Sequence, residues 1–209
     1  MINKIYQTSY SKKSFNNKYG VPISLFNINK KDKIGIFEVG MDKKGEIDYL
    51  TKKIIPNVGV ITNISYAHIK NFKNLKSIAY AKSEIINNIL EDGTIILNAD
   101  DKFFKFLKYK SIKKKLRIIS FGIQKKSDVS LINMKRGKLR SVIYIKYNEI
   151  KLKFIIKKNL ENYIYNILST LAVISIYFDL EKLDKFFFND YQFPEGRGDL
   201  NIIKLKEKK

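Results

Sequence analysis

The sequence predicts an α/β fold: a mostly parallel, doubly wound sheet with flanking helices and a small antiparallel meander at its edge. The first observation is that apolar strand patterns alternate with helical patterns, which is typical of parallel strands covered on both faces. These strands are predicted at residues 33–39, 57–64, 94–98 and 117–121. The second observation is a change of pattern after Gly122. Residues 127–156 alternate apolar and polar side chains, which indicates antiparallel strands.

Helical spacing of apolar residues fills the intervals between the strands. It predicts helices at about 46–54, 74–90, 101–109, 161–177 and 180–189. Residues 1–32 are mixed, with a polar turn cluster at 11–17.

The C-terminal tail sets the predicted domain boundary. Residues 193–199 are a loop by composition, and residues 202–205 resemble the beginning of a new strand. We therefore assign one domain to residues 1–200, and we assign residues 201–209 to the start of a linker or of a further domain.

Composition limits the class of protein. The chain has 209 residues and is 44% hydrophobic, which is sufficient for a substantial core. No segment approaches the roughly 18 uninterrupted apolar residues of a membrane span, and the N-terminus has no apolar signal-peptide region. The absence of cysteine excludes disulfides and thiolate zinc sites and fits a cytoplasmic protein.

The formal net charge of +21 raises the alternative of a nucleic-acid-binding protein. The excess is mostly lysine, it is spread along the whole chain, and no nucleic-acid-binding motif accompanies it. Heavy use of Lys, Ile and Asn is what an AT-rich genome produces at tolerant surface positions. We therefore expect no specific nucleic-acid partner and keep this class as the less favoured alternative.

Two polar side chains lie at the ends of neighbouring predicted strands. Glu38 ends the strand at 33–39, and His68, the only histidine, follows the strand at 57–64. Ligands of open α/β sheets bind outside the carboxyl ends of the strands, so both residues are candidates for a metal or a polar substrate. The alternatives are a solvated charge or helix cap for Glu38 and a structural role for His68.

Lys82 falls within an apolar stripe of the helix predicted at 74–90. Ile78, Ile85 and Ile89 share that stripe with it. The amine either reaches solvent at the edge of the stripe or is partly buried and then paired or chemically altered.

Two further segments carry polar groups with ordinary alternatives. Asp101 follows the strand at 94–98, where an N-cap of the next helix is the favoured interpretation. Arg197 lies between Gly196 and Gly198, in a loop that suits either a phosphate contact or a linker.

Seven motifs, taken in order, resemble the Mur ligase family over roughly residues 14–200. They are Asn16-Asn17 with Gly20-Val21-Pro22; Glu38-Val39-Gly40 with Gly45-Glu46-Ile47; Pro56; Thr62-Asn63-Ile64 with Ala67-His68; Ala81-Lys82 with Glu84-Ile85; Leu97-Asn98 with Asp100-Asp101; and Gly196-Arg197. The spacing from Gly40 to Gly45-Glu46-Ile47 favours the branch that adds D-alanyl-D-alanine to UDP-N-acetylmuramoyl-tripeptide. The resemblance implies the central domain of that enzyme, truncated at both ends.

The resemblance also implies roles for the candidate residues. Glu38, His68 and Lys82 would form the catalytic metal site for Mg²⁺, with Lys82 as the lysine that this family carbamylates. A carbamate converts a cation into an anion that can reach toward a metal, which would account for a lysine within an apolar stripe.

Three residues would contact ATP on the same grounds. Asn17 would lie near the metal and phosphates, Asn166 by the adenine, and Arg197 on the phosphates. The implied reaction activates a substrate carboxylate as an acyl phosphate at the expense of ATP, and the amine of D-alanyl-D-alanine then attacks it.

The sequence departs from the family in its phosphate-binding loop. No G-x-x-x-x-G-K-[ST] motif occurs anywhere in the chain. We therefore expect the chain alone to be inactive as a ligase. The alternative is a split or remnant ligase that works as a binding module with a complementing chain.

Overall fold

The computed structural model describes residues 1–12, 14–66, 71–124 and 126–191. Strands and α-helices alternate through the first part of the chain and give way to consecutive strands after β5. In order they are β1 (Thr8–Tyr10), α1 (Gly20–Phe26), β2 (Ile34–Ile36), α2 (Glu46–Ile54), β3 (Val58–Ile61), α3 (Leu75–Lys82), β4 (Thr94–Asn98), α4 (Phe104–Lys113), β5 (Arg117–Gly122), β6 (Val129–Lys135), β7 (Arg140–Tyr147), β8 (Ile150–Lys157) and α5 (Ile164–Tyr177).

Six strands form the main sheet in the order β3-β4-β5-β6-β7-β8. The strands from β3 to β6 pair in parallel, whereas β6, β7 and β8 pair antiparallel as an edge meander. The predicted α/β class, with a mostly parallel sheet and an antiparallel edge, is therefore confirmed.

Helices cover both faces of this sheet. In β4, Ile96 belongs to the core that contains the apolar face of α5. Its neighbours Ile95 and Leu97 belong to the core on the other face, which includes residues of α2, α3 and α4. Alternate side chains of a strand point to opposite faces, so an apolar strand such as β4 requires a helical layer on each side.

Strands β1 and β2 form a separate two-stranded parallel sheet. The strand predicted at 33–39 is limited to Ile34–Ile36. The prediction that it is buried is wrong, since Ile36 is 41% exposed. Its only strand partner among the described residues is β1, so one edge of β2 lacks the cover that a central strand has.

The helix predicted at 74–90 changes type at Lys82. Residues Leu75–Lys82 are α-helical, and Ser83–Asn88 continue as a 3₁₀ helix. Asn74 begins α3 with a capping box, because its side chain accepts a hydrogen bond from the Ser77 backbone N–H.

Local hydrogen bonds shorten two other predicted helices. The Asp101 side chain accepts from the Phe103 N–H at 2.7 Å, so a turn precedes α4, which begins at Phe104 rather than 101. The segment 180–189 contains only a 3₁₀ turn at Leu180–Lys182, because Asp179 and Asp184 bond to nearby backbone N–H groups. Among the described residues, no helix is long and apolar enough to cross a bilayer.

Candidate functional site

An open groove of about 2160 Å³ separates the two sheets. Strands β2 and β3 border it, and residues of α2 and α5 complete its walls. Glu38 and Lys82 both line this groove, together with Asn16, Asn17 and Thr62. Two of the three predicted metal-site residues thus line the same groove.

Glu38 follows β2 and is held by the segment around residues 11–16. The Asn16 side-chain amide donates to Glu38 Oε1 at 3.0 Å, and the Glu38 backbone N–H donates to Ser11 Oγ at 3.3 Å. Among the described residues, Oε2 has no hydrogen-bond partner. The exposed carboxylate is therefore oriented on one side and free to bind a cation on the other.

Gly40 allows Asn16 to approach this loop closely. Its backbone N–H donates to the Asn16 carbonyl oxygen at 2.7 Å. A Cβ at position 40 would lie 3.0 Å from Asn16 Cγ, which is tighter than ordinary van der Waals contact. A side chain at position 40 would therefore press on the Asn16 amide that holds Glu38.

Lys82 is the last residue of α3, and its Nζ donates to the Asn63 carbonyl oxygen at 2.8 Å. Burial lowers the pKa of the Lys82 amine, and the nearby Asp101 carboxylate opposes part of that shift. A lowered pKa increases the neutral fraction of the amine, and the neutral amine is the form that can react with CO₂ to give a carbamate.

Asp101 fixes the backbone that carries Asn63. Its Oδ2 accepts from the Ile64 N–H at 2.6 Å, and the Asn98 side chain donates to the Thr62 carbonyl oxygen at 3.1 Å. The segment after β3 is therefore tied to the end of β4, so the carbonyl that receives Lys82 has a defined position.

The remaining predicted site residues differ in placement. His68 and Arg197 lie outside the described residues. The Asn17 side-chain oxygen accepts from the Tyr19 and Gly20 N–H groups at the start of α1, and Asn17 lines the groove.

Asn166 is not brought to the groove. It is exposed in the first turn of α5 and does not line the space that Glu38 and Lys82 share. Its neighbour Tyr165 donates a hydrogen bond to Asp100 Oδ2 at 3.0 Å. The predicted adenine contact of Asn166 stays a prediction.

Sequence reasoning assigned no role to Asn16, although this residue and not Asn17 contacts Glu38. The pair Asn16-Asn17 signals a turn, but it does not reveal which of two neighbouring amides faces a carboxylate 22 residues away. The sequence pattern assigns no role to Glu84 either.

As they stand in the structure, the described side chains around the groove supply only part of the ligand set that a metal ion needs. The described residues contain no cluster of three His, Asp or Glu side chains that could hold an ion. Glu38 supplies one carboxylate, while Lys82 is in its amine form and donates to a carbonyl. Carbamylation of Lys82 would add anionic oxygens of the kind that Mg²⁺ prefers.

A sequence model of the Mur ligase middle domain matches residues 1–174 of the chain. Curated relatives agree with it. The chain is 33% identical over 195 residues to the UDP-N-acetylmuramoyl-tripeptide–D-alanyl-D-alanine ligase of Rickettsia prowazekii, covering 90% of this chain and 42% of the relative. It is 36% identical over 121 residues to the protein of that name from Buchnera aphidicola subsp. Baizongia pistaciae, covering 58% of this chain and 26% of the relative.

Solved structures give the same result. MurF from Acinetobacter baumannii matches with a TM-score of 0.86 at 26% identity, over 99% of this chain and 44% of that one. MurF from Thermotoga maritima, solved in complex with ADP, matches in fold with a TM-score of 0.80 at 20% identity, over 94% of this chain and 44% of that one. The chain thus spans less than half the length of these relatives. On these grounds the chain belongs to the Mur ligase family and corresponds to its middle domain.

Proposed function

We propose that this chain is the ATP-handling central part of a ligase that adds D-alanyl-D-alanine to UDP-N-acetylmuramoyl-tripeptide in cytoplasmic peptidoglycan precursor synthesis. The observation that carries the proposal is the convergence of Glu38 and Lys82 on one groove. The names of the curated relatives support this substrate pair for the whole enzyme.

The proposed site has two kinds of group. Glu38, a carbamylated Lys82 and His68 would hold Mg²⁺, which offsets the negative charge on the transferred phosphoryl group. Asn16 keeps the Glu38 carboxylate oriented toward the groove. Asn17, Arg197 and Asn166 are the proposed contacts to ATP.

The proposed reaction has two steps, phosphoryl transfer to the carboxylate and then amide formation. An oxygen of the tripeptide carboxylate attacks the γ-phosphorus of ATP, and ADP leaves. The amine of D-alanyl-D-alanine then attacks the acyl carbon of the resulting acyl phosphate, an amide forms, and inorganic phosphate and a proton are released.

A ligation assay tests the proposal. The chain is incubated with ATP, Mg²⁺ and both substrates, alone and with a polypeptide from a relative that carries the phosphate loop and the N-terminal domain. We expect no product from the chain alone, because it contains no phosphate-loop motif, and product when both are present, measured by mass spectrometry.

Two variants complete that assay. Lys82→Ala should lower the restored ligation activity by more than about a hundredfold, and short carboxylates should restore part of it. Lys76→Ala, at an exposed position of α3, should leave the activity unchanged. Full activity of Lys82→Ala without rescue would contradict the carbamate role, and ligation by the chain alone would contradict the need for a second polypeptide.

The open strand edges favour a second candidate, a split ligase whose complementing chain fills the groove. Among the described residues, β2 pairs only with β1, and β3 pairs only with β4. Both strands line the groove with apolar side chains that are part-exposed, Ile36 at 41% and Val60 at 36%. An apolar strand from another chain could pair with either free edge and cover these side chains.

Native mass spectrometry separates the two candidates. The split ligase requires a stable one-to-one complex between this chain and a separately encoded polypeptide whose sequence carries Gly-Lys-Thr or Gly-Lys-Ser. An in-frame upstream segment with that motif in the same gene would instead favour a single longer enzyme.

A further inference from the structure

Glu84 lies two residues after Lys82, and the proposed mechanism gives it no role. It belongs to the 3₁₀ helix at Ser83–Asn88, and only 8% of its surface is exposed. A buried carboxylate is costly unless its oxygens are hydrogen-bonded. Glu84 meets this requirement through the backbone of a distant segment, the start of α2.

Both carboxylate oxygens of Glu84 accept hydrogen bonds there. The Gly45 N–H donates to Oε1 at 2.8 Å, and the Asp48 N–H donates to Oε2 at 3.2 Å. Gly45 is the N-cap of α2 and has no side chain that could satisfy the first N–H groups of the helix. Glu84 supplies that cap from another element, and its negative charge suits a helix N-terminus.

Asn88, one turn further along, bonds to the same helix. Its side-chain amide donates to Asp48 Oδ1 at 2.9 Å and to Thr51 Oγ1 at 2.8 Å. This contact lies past the first residue of α2, whereas the Glu84 contact reaches the loop itself at Gly45. Both residues therefore bond to Asp48, but Glu84 also bonds to Gly45 before the helix, whereas Asn88 bonds to Thr51 within it.

Hydrogen bonds hold the loop between Glu38 and α2 at several positions. Gly40 bonds to the Asn16 carbonyl oxygen, and Glu46 Oε2 accepts from the Asp42 and Lys43 N–H groups at 2.6 and 3.1 Å. Glu84 then joins the end of this loop to the segment that follows Lys82. These hydrogen bonds, together with the backbone between them, connect the loop that follows Glu38 to the residue two positions after Lys82.

We propose that Glu84 is a positioning residue that fixes the Glu38 loop relative to Lys82, so that both groups face the groove at a defined separation. This inference rests on the proposed function in assigning Glu38 and Lys82 to one site. It links two sequence motifs, the Gly45-Glu46-Ile47 turn and the Lys82-x-Glu84 pair, through the hydrogen bonds that join them.

Spin-label distances test the positioning directly. The chain has no cysteine, so cysteines placed at the exposed positions Lys43 and Lys76 label the loop and α3 specifically. Glu84→Gln should broaden the distance distribution between them and speed amide exchange of Gly45 by about tenfold or more, because the charge is lost and the side-chain nitrogen of Gln, a donor, cannot replace the second carboxylate oxygen.

Asn88→Ala is the matched control. It loses hydrogen bonds to α2 as well, and it should lower the melting temperature without broadening the distance between the labels. Glu84→Asp, which keeps the charge but is one methylene shorter, serves if Glu84→Gln fails to fold. A distribution that matches the unsubstituted chain in a folded Glu84 variant would overturn the proposal.

A Mn²⁺ titration connects the positioning to the site. If Mn²⁺ binds the bicarbonate-treated chain, Glu84→Gln should weaken that binding by about tenfold, whereas Asn88→Ala should not, and equal weakening in both variants would contradict the proposal. Failure of the unsubstituted chain to bind Mn²⁺ would contradict the proposed metal site, and the distance measurement would then decide the role of Glu84 by itself.

Discussion

At the scale of single residues, Lys82 shows how a site residue obtains unusual chemistry from ordinary packing. Ile78 and Ala79, one turn before it in α3, are buried, and its amine donates to one backbone carbonyl. Burial lowers its pKa, and the Asp101 carboxylate offsets only part of that effect. The Lys82 amine therefore loses its proton at a lower pH than the amine of an exposed lysine does.

The pH dependence of stability tests this state of Lys82. Its pKa in the folded chain lies below the value of 10.5 for an exposed lysine, so the unfolded chain binds more protons between the two pKa values. Burial of the ammonium thus destabilises the fold below the folded-state pKa, and the penalty is relieved as pH rises from there toward 10.5.

Urea unfolding of the chain and of Lys82→Gln measures this effect. The unsubstituted chain should gain stability relative to Lys82→Gln as the pH rises through the lowered pKa of Lys82 toward 10.5. Lys76→Gln, at an exposed position of the same helix, should show no such trend. A pH-independent difference for Lys82→Gln would show that burial does not lower the pKa of this amine.

At the scale of elements, α5 stabilises one face of the main sheet. Its buried residues, such as Leu168 and Leu171, belong to the core that includes Ile96, Ile119 and Phe121 of β4 and β5. This packing holds the carboxyl ends of these strands in place, and the turn that carries Asp101 follows β4 directly. Strand β4 thus belongs to the apolar core and also leads directly into the turn that contacts the site.

Leu171→Ala tests the contribution of α5. Leu171 is fully buried, and removing its side-chain atoms should lower the free energy of unfolding by about 2–5 kcal/mol. Asn166→Ala, at an exposed position in the first turn of α5, should change it by less than about 0.5 kcal/mol. Equal effects of the two substitutions in a denaturant titration would contradict the assigned packing.

At the scale of the whole molecule, positive charge is the dominant surface property. The formal net charge is +21, and the ion pairs formed by described lysines include contacts that are exposed on both sides, such as Lys146–Glu149 and Lys182–Asp179. Exposed pairs of this kind contribute little to stability. The charge therefore acts mainly on association with other molecules.

Heparin and DNA affinity distinguish bulk charge from a specific nucleic-acid site. We expect retention at low salt that falls steeply with ionic strength and is insensitive to DNA sequence, because dispersed lysines release counterions without reading bases. Elution is measured over a salt gradient, with a lysine-rich protein of similar charge as the control. Sequence-dependent retention at moderate salt would favour the nucleic-acid-binding alternative.

The sequence predicted the main sheet well because the evidence for it is local. Apolar runs identified β3, β4 and β5, and the period-two alternation identified the meander of β6 to β8. The helix predicted at 46–54 matches α2, Glu46–Ile54. The short β1 and α1 were not predicted, because three- and seven-residue elements carry too little periodicity to separate from a turn-rich segment.

The sequence by itself determined the α/β class, the family resemblance, and the choice of Glu38 and Lys82 as candidate residues. Tertiary structure alone decided that Asn16 contacts Glu38, that Glu84 caps α2, and that β2 separates from the main sheet across a groove. The physical reason is distance along the chain. Periodicity and turn chemistry report neighbours within a few residues, whereas hydrogen bonds between segments 22 to 39 residues apart depend on how the elements pack.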